Sequence, residues 1–324
     1  MIGRLAPYVI GPAPTRSAAR QARAATALRL TGLGAALRRA GAWRGLLVLN
    51  YHRIGDPASS ALDGTMFSAT AEGFERHVEH LARGCDVIGL NDVPAALGTR
   101  RGRRVLVTFD DGYRDNFELA FPVLRAAGVP AAFFLATGFL DRPGLSWWDE
   151  LAWMGAPPGA VAAYKRLPTS DGDAFLDRMG ERTGRGRAGA DAGAGLWMTW
   201  AMAREMRDAG MAFGGHTVSH PVLARLPADR QAEEIRGCAE RLAGELGIAM
   251  HAFSYPVGSP DAFNETTKAL VRETGCQLAF AFAGGYARPG RADPLAIPRT
   301  AVGTWLSIDE LRGATVLPQL FARW

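Results

Sequence analysis

An apolar strand that ends in two adjacent carboxylates constrains this chain more than any other feature. Val105 to Phe109 reads as a buried strand, and Asp110-Asp111-Gly112-Tyr113 follows it without a spacer. Adjacent acids repel unless a cation or a shared proton stabilises them. Neighbouring strand residues also point to opposite faces, so both carboxylates address one ligand only if the backbone turns at once, and Gly112 permits that turn. A bound metal is the economical reading. About a hundred residues on, His216-Thr217-Val218-Ser219-His220 sets two imidazoles at i and i+4, a spacing with which both can meet one ion from a helical turn. Gly214 and Gly215 before them, hydroxyls at Thr217 and Ser219, and Pro221 after them suit a loop turn at a strand end equally well. Taken singly, Asp-Asp-Gly is often a plain turn and a His pair a surface feature; their coincidence within one βα pattern makes an Asp, His, His metal site.

That pattern runs along the chain. Leu46 to Tyr51, Val105 to Phe109, Ala131 to Leu135, Met211 to Gly214, Ala252 to Tyr255, Leu278 to Phe282 and Ala296 to Val302 read as strands. Amphipathic stretches separate them at Ala71 to Arg83, Phe117 to Ala127, Trp200 to Ala209, Asp229 to Leu246 and Thr266 to Glu273. Repeated strand and helix pairs predict an α/β fold with a parallel sheet, open or closed into a barrel. Residues 141–198 break the rhythm with Pro143, Pro157, Pro158, Pro168 and the Gly/Arg/Ala-rich Thr183 to Gly195, and read as an insertion.

With 324 residues and 48% hydrophobic content, the chain can bury a full core as one catalytic domain, residues 46–324, plus a tail. Charge is concentrated in that tail. Residues 1–45 hold eight arginines and no acid against a net charge of +5, leaving about −3 on the remainder. The basicity therefore describes the leader and predicts no nucleic-acid partner. Within it, Thr15 to Ala40 carries Leu30, Leu33 and Leu37 at helical spacing, which suits contact with an anionic membrane surface, or a solvated or core-packed leader helix. Met1 to Pro14 is interrupted by Pro7, Pro12 and Pro14, and no run of about 18 apolar residues occurs. A cytoplasmic location is the expectation, with peripheral membrane contact through residues 1–45 as its alternative. Cys85, Cys238 and Cys276 are widely spaced among apolar neighbours and read as reduced thiols.

The run Thr108 to Gly112 and the pair His216/His220 resemble the first motif, TFDDG, and the second, H-S/T-x-x-H, of the polysaccharide deacetylases of carbohydrate esterase family 4, the NodB-homology domain. Asn50-Tyr51-His52-Arg53-Ile54 and Phe253-Ser254-Tyr255-Pro256-Val257-Gly258 resemble segments of relatives that process bacterial surface polysaccharides. The resemblance implies an irregular (β/α) barrel of about seven parallel strands. It also implies Asp110 as general base, and Asp111, His216 and His220 as ligands of a divalent metal, Zn2+ by ligand type, with Co2+, Ni2+ or Mn2+ able to take the same donors.

Two departures shape the remaining assignments. The family's C-terminal Leu-x-His is missing, since His251 is the last histidine; His52, after the first strand, is the substitute acid, as in related poly-N-acetylglucosamine deacetylases, with a structural role as its rival. The third motif carries Ser254 where the family has an arginine. Arg299 is the replacement, with Arg53 competing, because Asp110 needs a fixed rotamer and a carboxyl that stays ionised. Tyr113 and the Tyr255-Pro256-Val257 turn are pocket candidates, the turn offering a backbone N–H to an oxyanion. Trp147, Trp148, Trp153 and Trp197 of the insertion either stack on a sugar or pack in a core. The expected activity is metal-dependent removal of acetyl from an N-acetylated sugar of a polysaccharide, glycolipid or lipid-linked precursor. The alternatives are an O-acetyl esterase, a non-sugar amidase and a non-catalytic carbohydrate-binding or assembly protein.

Overall fold

A computed structural model describes residues 16–40, 43–98 and 103–322 of the chain. The proline-interrupted Met1 to Pro14 therefore lies outside the described residues. The main sheet is entirely parallel, and its principal path holds eight strands: β1 Gly45–Tyr51, β2 Arg103–Phe109, β3 Ala131–Leu135, β4 Ala212–Gly215, β5 Ala252–Ser254, β6 Leu278–Ala281, β7 Ile297–Pro298 and β8 Thr300–Ala301. β1 pairs with β2 along its whole length, Gly45 opposite Arg103 through to Tyr51 opposite Phe109. The order then runs β2, β3, β4, β5, β6, β7, while β8 pairs with the far edge of β1 through Leu49 opposite Thr300. β7 and β8 are halves of one stave. Pro298 sits opposite Ala281 of β6, Ala301 sits opposite Asn50 of β1, and Arg299 between them marks the hand-over that brings the barrel nearly to closure. Eight strands thus make seven staves, and the strand expected over Ala296 to Val302 is split because it changes partners.

Alternation along these strands sorts the core into two layers. Leu46, Val48, Leu106, Ala132, Phe134, Ala252, Phe280 and Ile297 form one buried cluster. Leu47, Leu49, Val105, Val107, Phe109, Phe133 and Phe253 join a second, which includes residues from α3 Ala71–Gly84 and from the helices around the barrel. The first set continues, two residues at a time, into polar side chains at the C-terminal strand ends: Asn50 after Val48, Thr108 and Asp110 after Leu106, Ser254 after Ala252, Arg299 after Ile297. All five are buried. A parallel α/β barrel gathers its chemistry at this end because strand alternation and strand ends converge there.

The leader forms α1 Arg16–Leu30 and α2 Leu33–Ala40. The helix expected over Phe117 to Ala127 opens as a π-helical turn, Asn116–Ala120, before α4 Phe121–Ala127; Pro122 cannot donate to the carbonyl a turn earlier, so regular bonding restarts there. Within residues 141–198, α5 Trp147–Met154 and α6 Gly172–Thr183 build a separate hydrophobic cluster with Tyr113 and Trp197. Trp147, Trp148 and Trp197 are buried in it, as core packing requires. Farther along come α7 Trp200–Asp208, α8 Ala228–Leu246, α9 Glu265–Glu273 and α10 Ile308–Val316. Cys238 and Cys276 are free thiols and buried. Among the described residues no helix is long and apolar enough to cross a membrane.

Candidate active site

Asp110 prolongs the inward alternation of β2, its N–H still donating to Tyr51 O at 3.0 Å. Asp111 would point outward if the strand went on. Instead its backbone turns to φ 74°, Gly112 follows at φ 90°, and the second carboxylate swings back to the mouth. Opposite, β4 ends at Gly215, where any β-carbon would collide with the Met250 sulfur, so the strand lies tight against its neighbour as it delivers His216. Residues 216–220 are a loop, so the helical-turn reading of the histidine spacing is corrected. Thr217 at φ 69° and His220 at φ 59° fold the loop so that both imidazoles return to one point. A β-branched threonine is strained there. Glu234 of α8 holds the loop in place, one oxygen accepting from Val218 and Ser219 N–H at 2.9 and 2.8 Å and the other from the Ser219 hydroxyl at 2.6 Å.

His216 Nε2 and His220 Nε2 lie 3.3 and 3.4 Å from the same oxygen, Asp111 Oδ1. His216 Nδ1 donates to Ser254 O at 2.7 Å, which aims Nε2 at the carboxylate. Burial pushes the His220 imidazole down to about 3, against the pull of Asp111, so that ring is neutral, whereas burial of His216 is outweighed by Asp110 and then Asp111, which raise its imidazole. Neither Asp111 oxygen has a hydrogen-bond partner, although the residue is fully buried. Two imidazole nitrogens and a carboxylate oxygen, buried within 4.8 Å of one another with no lysine or arginine among them, are a donor set that could hold a cation. The donor set suits a divalent ion such as zinc.

Asp110 lies in the opposite environment. Arg299 reaches it with both arms, NH1 to Oδ1 at 2.8 Å and NH2 to Oδ2 at 2.6 Å, and the Ser254 hydroxyl donates to Oδ2 at 3.2 Å. The guanidinium also donates to Asn50 Oδ1 and Ser254 Oγ, both at 2.8 Å; only its Nε lacks a partner. Burial pushes the Asp110 carboxyl up, but Arg299, then His216, outweigh it and hold the group well below the usual carboxylate range. Arg53 is elsewhere, paired with Asp115 at 3.0 Å and lying over the Phe67 ring.

His52 sits one residue past β1, its backbone tied by its N–H to Ser68 Oγ and by its carbonyl accepting from Asn116 Nδ2. Its half-buried ring is lowered in pKa by burial, ahead of the opposing pull of Asp111 and Asp110. Tyr113 is fully buried, donating to Asp149 Oδ2 at 3.1 Å and accepting from Trp148 Nε1 at 2.9 Å. Tyr255 is also buried, stacked on Phe263 with its hydroxyl on Leu295 O. The side chains of both tyrosines are thus committed to the fold. Val257, at φ 62°, is the part of its turn that retains exposure. Reasoning from sequence missed Asn50 and Ser254 as partners of Arg299, Glu234 behind the histidine loop, and Trp148, whose ring stands edge-on to His220 at 4.5 Å. Of these only Ser254 left a signal, as a serine in a motif that elsewhere holds arginine.

Residues 98–279, more than half of the chain, match the polysaccharide deacetylase family. The chain belongs to that family. It is 24% identical over 174 residues to the YxkH protein of Bacillus subtilis, whose name places it among polysaccharide deacetylases. That alignment covers 54% of this deacetylase-family chain and 43% of the relative, so the chain spans less than half of the relative's length. Among solved structures, the Streptococcus pyogenes deacetylase PplD in complex with acetate matches with a TM-score of 0.60 at 20% identity, covering 84% of this chain and 98% of that one. IcaB from Ammonifex degensii gives 0.57 at 24%, covering 83% and 97%. A de-N-acetylase from Aggregatibacter actinomycetemcomitans gives 0.54 at 16%, covering 81% and 96%. At these identities the structural likenesses establish the shared NodB-like deacetylase barrel.

Proposed function

We propose that this member of the polysaccharide deacetylase family hydrolyses the N-acetyl group of an amino sugar in a polysaccharide, glycolipid or lipid-linked precursor, releasing acetate and leaving a free amine. One observation carries the reading: of two adjacent buried aspartates, one is held ionised by a bidentate arginine and the other lacks any donor among convergent imidazoles. A divalent metal, zinc by donor type, held by Asp111, His216 and His220, would polarise the acetyl carbonyl and acidify a water. Asp110, ionised and fixed in rotamer by Arg299, takes the proton from the attacking water. The backbone N–H groups of the Pro256 to Gly258 turn offer a donor to the carbonyl oxygen as charge develops on it. His52 delivers a proton to the departing sugar nitrogen.

The acetate held by the Streptococcus pyogenes neighbour is the product this reading requires. Phe282 and Trp305, 37% and 47% exposed, follow β6 and β8 at the same end of the barrel and offer faces on which sugar rings stack. The non-catalytic alternative is disfavoured by the Arg299–Asp110 pair, which a protein that only binds sugar has no chemical reason to maintain. The deciding experiment is acetate release from a panel of N-acetylhexosamine oligomers, O-acetylated sugars and lipid-linked sugars. It compares metal-loaded protein, chelated protein, Asp110→Asn and His52→Ala. Release from N-acetyl substrates by the metal-loaded protein alone, with His52→Ala down by roughly 100- to 10,000-fold, is the expected result. Equal sugar binding by wild type and Asp110→Asn with no acetate from any substrate would refute hydrolysis.

A further inference from the structure

The acid-free leader helices are not loose appendages. α1 lies against α10, with Ala25 buried in the main core, Gln21 Nε2 donating to Leu320 O at 3.1 Å and Arg29 Nε 2.8 Å from Asp309 Oδ2. Where α1, the Gly32 turn, α3 and α10 meet, they leave a cavity of about 500 Å³. None of its lining residues belongs to the barrel mouth.

The cavity is cationic. Arg29, Arg76, Arg83 and Arg312 line it against two carboxylates, Glu79 and Asp309. The arginines are engaged in ion pairs with Glu72, Glu79 and Asp309, but most of these charges lie at the surface, where such pairs are weak and exchange readily for a better acceptor. A guanidinium matches a phosphate in two parallel hydrogen bonds, so phosphate is such an acceptor. Leu28 and Ile308 add apolar surface to the wall. At the α1–α2 turn, Leu30 and Leu33 project into solvent, 70% and 51% exposed, the two most exposed large aliphatic side chains among the described residues of the leader. Arg20 and Arg23 are exposed on the same helix, and residues 16–40 contain no acid.

Exposed leucines beside arginines with no intervening carboxylate on the leader make the chemical pattern of a helix pair that sits on a bilayer: apolar tips at the acyl boundary, guanidinium groups at the phosphate level. We propose that the α1–α2 turn and the cavity behind it dock onto an anionic phospholipid surface, with Leu30 and Leu33 entering the acyl boundary and the cavity arginines taking headgroup phosphate. A free phosphate would account for the arginines and leave the leucines without a role. The docking face and the catalytic mouth are built from different residues, so a surface-bound enzyme keeps its mouth free for substrate.

Sedimentation of the full chain with vesicles tests this directly, using phosphatidylcholine alone and phosphatidylcholine containing phosphatidylglycerol. The expected result is binding to the anionic vesicles that falls with added salt and is much weaker on the neutral ones. Leu30→Ser/Leu33→Ser and Arg83→Gln/Arg312→Gln should each lower the partition coefficient, the second by about fivefold per arginine removed. Both should leave the thermal melt and acetate release from a soluble substrate unchanged. Equal partition onto both vesicle types, or partition untouched by either double variant, would overturn the proposal. So would inorganic phosphate raising the melting temperature of wild type but not of Arg83→Gln/Arg312→Gln without any vesicle binding, which would make the cavity a free-anion site. Light scattering that shows the leader pairing two copies in place of vesicle binding would overturn it equally. Because partition is read without turnover, its failure leaves the deacetylase reading standing.

Discussion

On one side of the barrel mouth Asp110 is gripped by both arms of Arg299 and by the Ser254 hydroxyl; on the other, Asp111, the next residue, faces two imidazole nitrogens and has no donor. Residue type and burial are the same, and what differs is how the backbone presents each group. The Asp110 side is built by strand alternation, which stacks Asn50, Thr108, Asp110, Ser254 and Arg299 above an apolar plug. The Asp111 side is built by residues forced to positive φ, Asp111, Thr217 and His220, each costing on the order of 1–3 kcal/mol. A saturated carboxylate is a fixed charge. One left without a hydrogen-bond donor beside two convergent imidazole nitrogens is a place for a cation, and the strain is sustained by the surrounding barrel.

The largest effect should come from breaking the saturated side. Arg299→Met leaves Asp110 buried without its cation and should cost about 3–5 kcal/mol of stability, read by urea unfolding. A cost below about 1 kcal/mol would mean the mouth relaxes and water enters, and the contrast with Asp111 would collapse. Next comes the deficient side. Asp111→Asn should weaken zinc binding by at least about 100-fold in competition with a chromophoric chelator, whereas Asp110→Asn should retain most of the affinity. Equal losses in both variants would show that the two carboxylates share the ion.

A third buried aspartate sharpens the comparison, because Asp149 is saturated by neutral donors and meets no cation in contact. It accepts from Tyr113 and Ser146 hydroxyls and from Asp63 N–H, and burial, opposed first by the Ser146 hydrogen bond, pushes its carboxyl up to about 6. The folded state therefore holds this proton more tightly than the unfolded chain. Its contribution to stability is present in full below the ordinary carboxylate value, is lost as pH rises toward about 6, and is absent above that. Asp110 has the opposite sign: its contribution is present above the ordinary value and is lost as pH falls toward its depressed pKa. Unfolding at pH values near 4.5 and 7 should show Asp149→Asn removing a pH-dependent loss of about 2 kcal/mol present in wild type. An identical pH slope in the two proteins would place Asp149 among ordinary carboxylates.

How much of this was legible follows from the same contrast. Asp110, Asp111, His216 and His220 stand in two short motifs, and the family arginine missing at Ser254, with the demand of a buried carboxylate for a guanidinium, pointed to Arg299 with Arg53 competing. Asn50 and Ser254 as its further partners were not legible, because they are set by which staves become neighbours after Arg299 breaks its own strand into β7 and β8. The histidine spacing alone left two readings open, because i, i+4 belongs to a helical turn and equally to a loop; the flanking Gly214, Gly215 and Pro221 pointed to the loop, but not to the positive φ of Thr217 and His220, which in a threonine runs against its own preference. Glu234, which holds that loop, lies on a helix whose docking no local pattern reveals. The tryptophans of residues 141–198 were readable as core by residue type, but which of them reaches the mouth was not.

Trp148 is the one that does, and it supplies the smallest of the expected effects. Its indole N–H donates to the Tyr113 hydroxyl at 2.9 Å while its ring stands edge-on to His220, so one side chain joins the turn after Asp111 to the second imidazole. His220 Nδ1 has no hydrogen-bond partner of its own, unlike His216, whose Nδ1 is fixed by Ser254 O. Ring contact with Trp148 is therefore what orients His220 in place of a hydrogen bond. Trp148→Phe keeps most of the ring contact and removes the N–H, and should cost about 1 kcal/mol of stability with zinc affinity little changed. Trp148→Ala removes both and should lower zinc affinity by roughly tenfold. If the alanine variant unfolds more easily yet binds zinc as wild type does, the insertion supports the barrel without orienting the ligand, and the deficient side of the mouth is organised by Glu234 and the loop backbone alone.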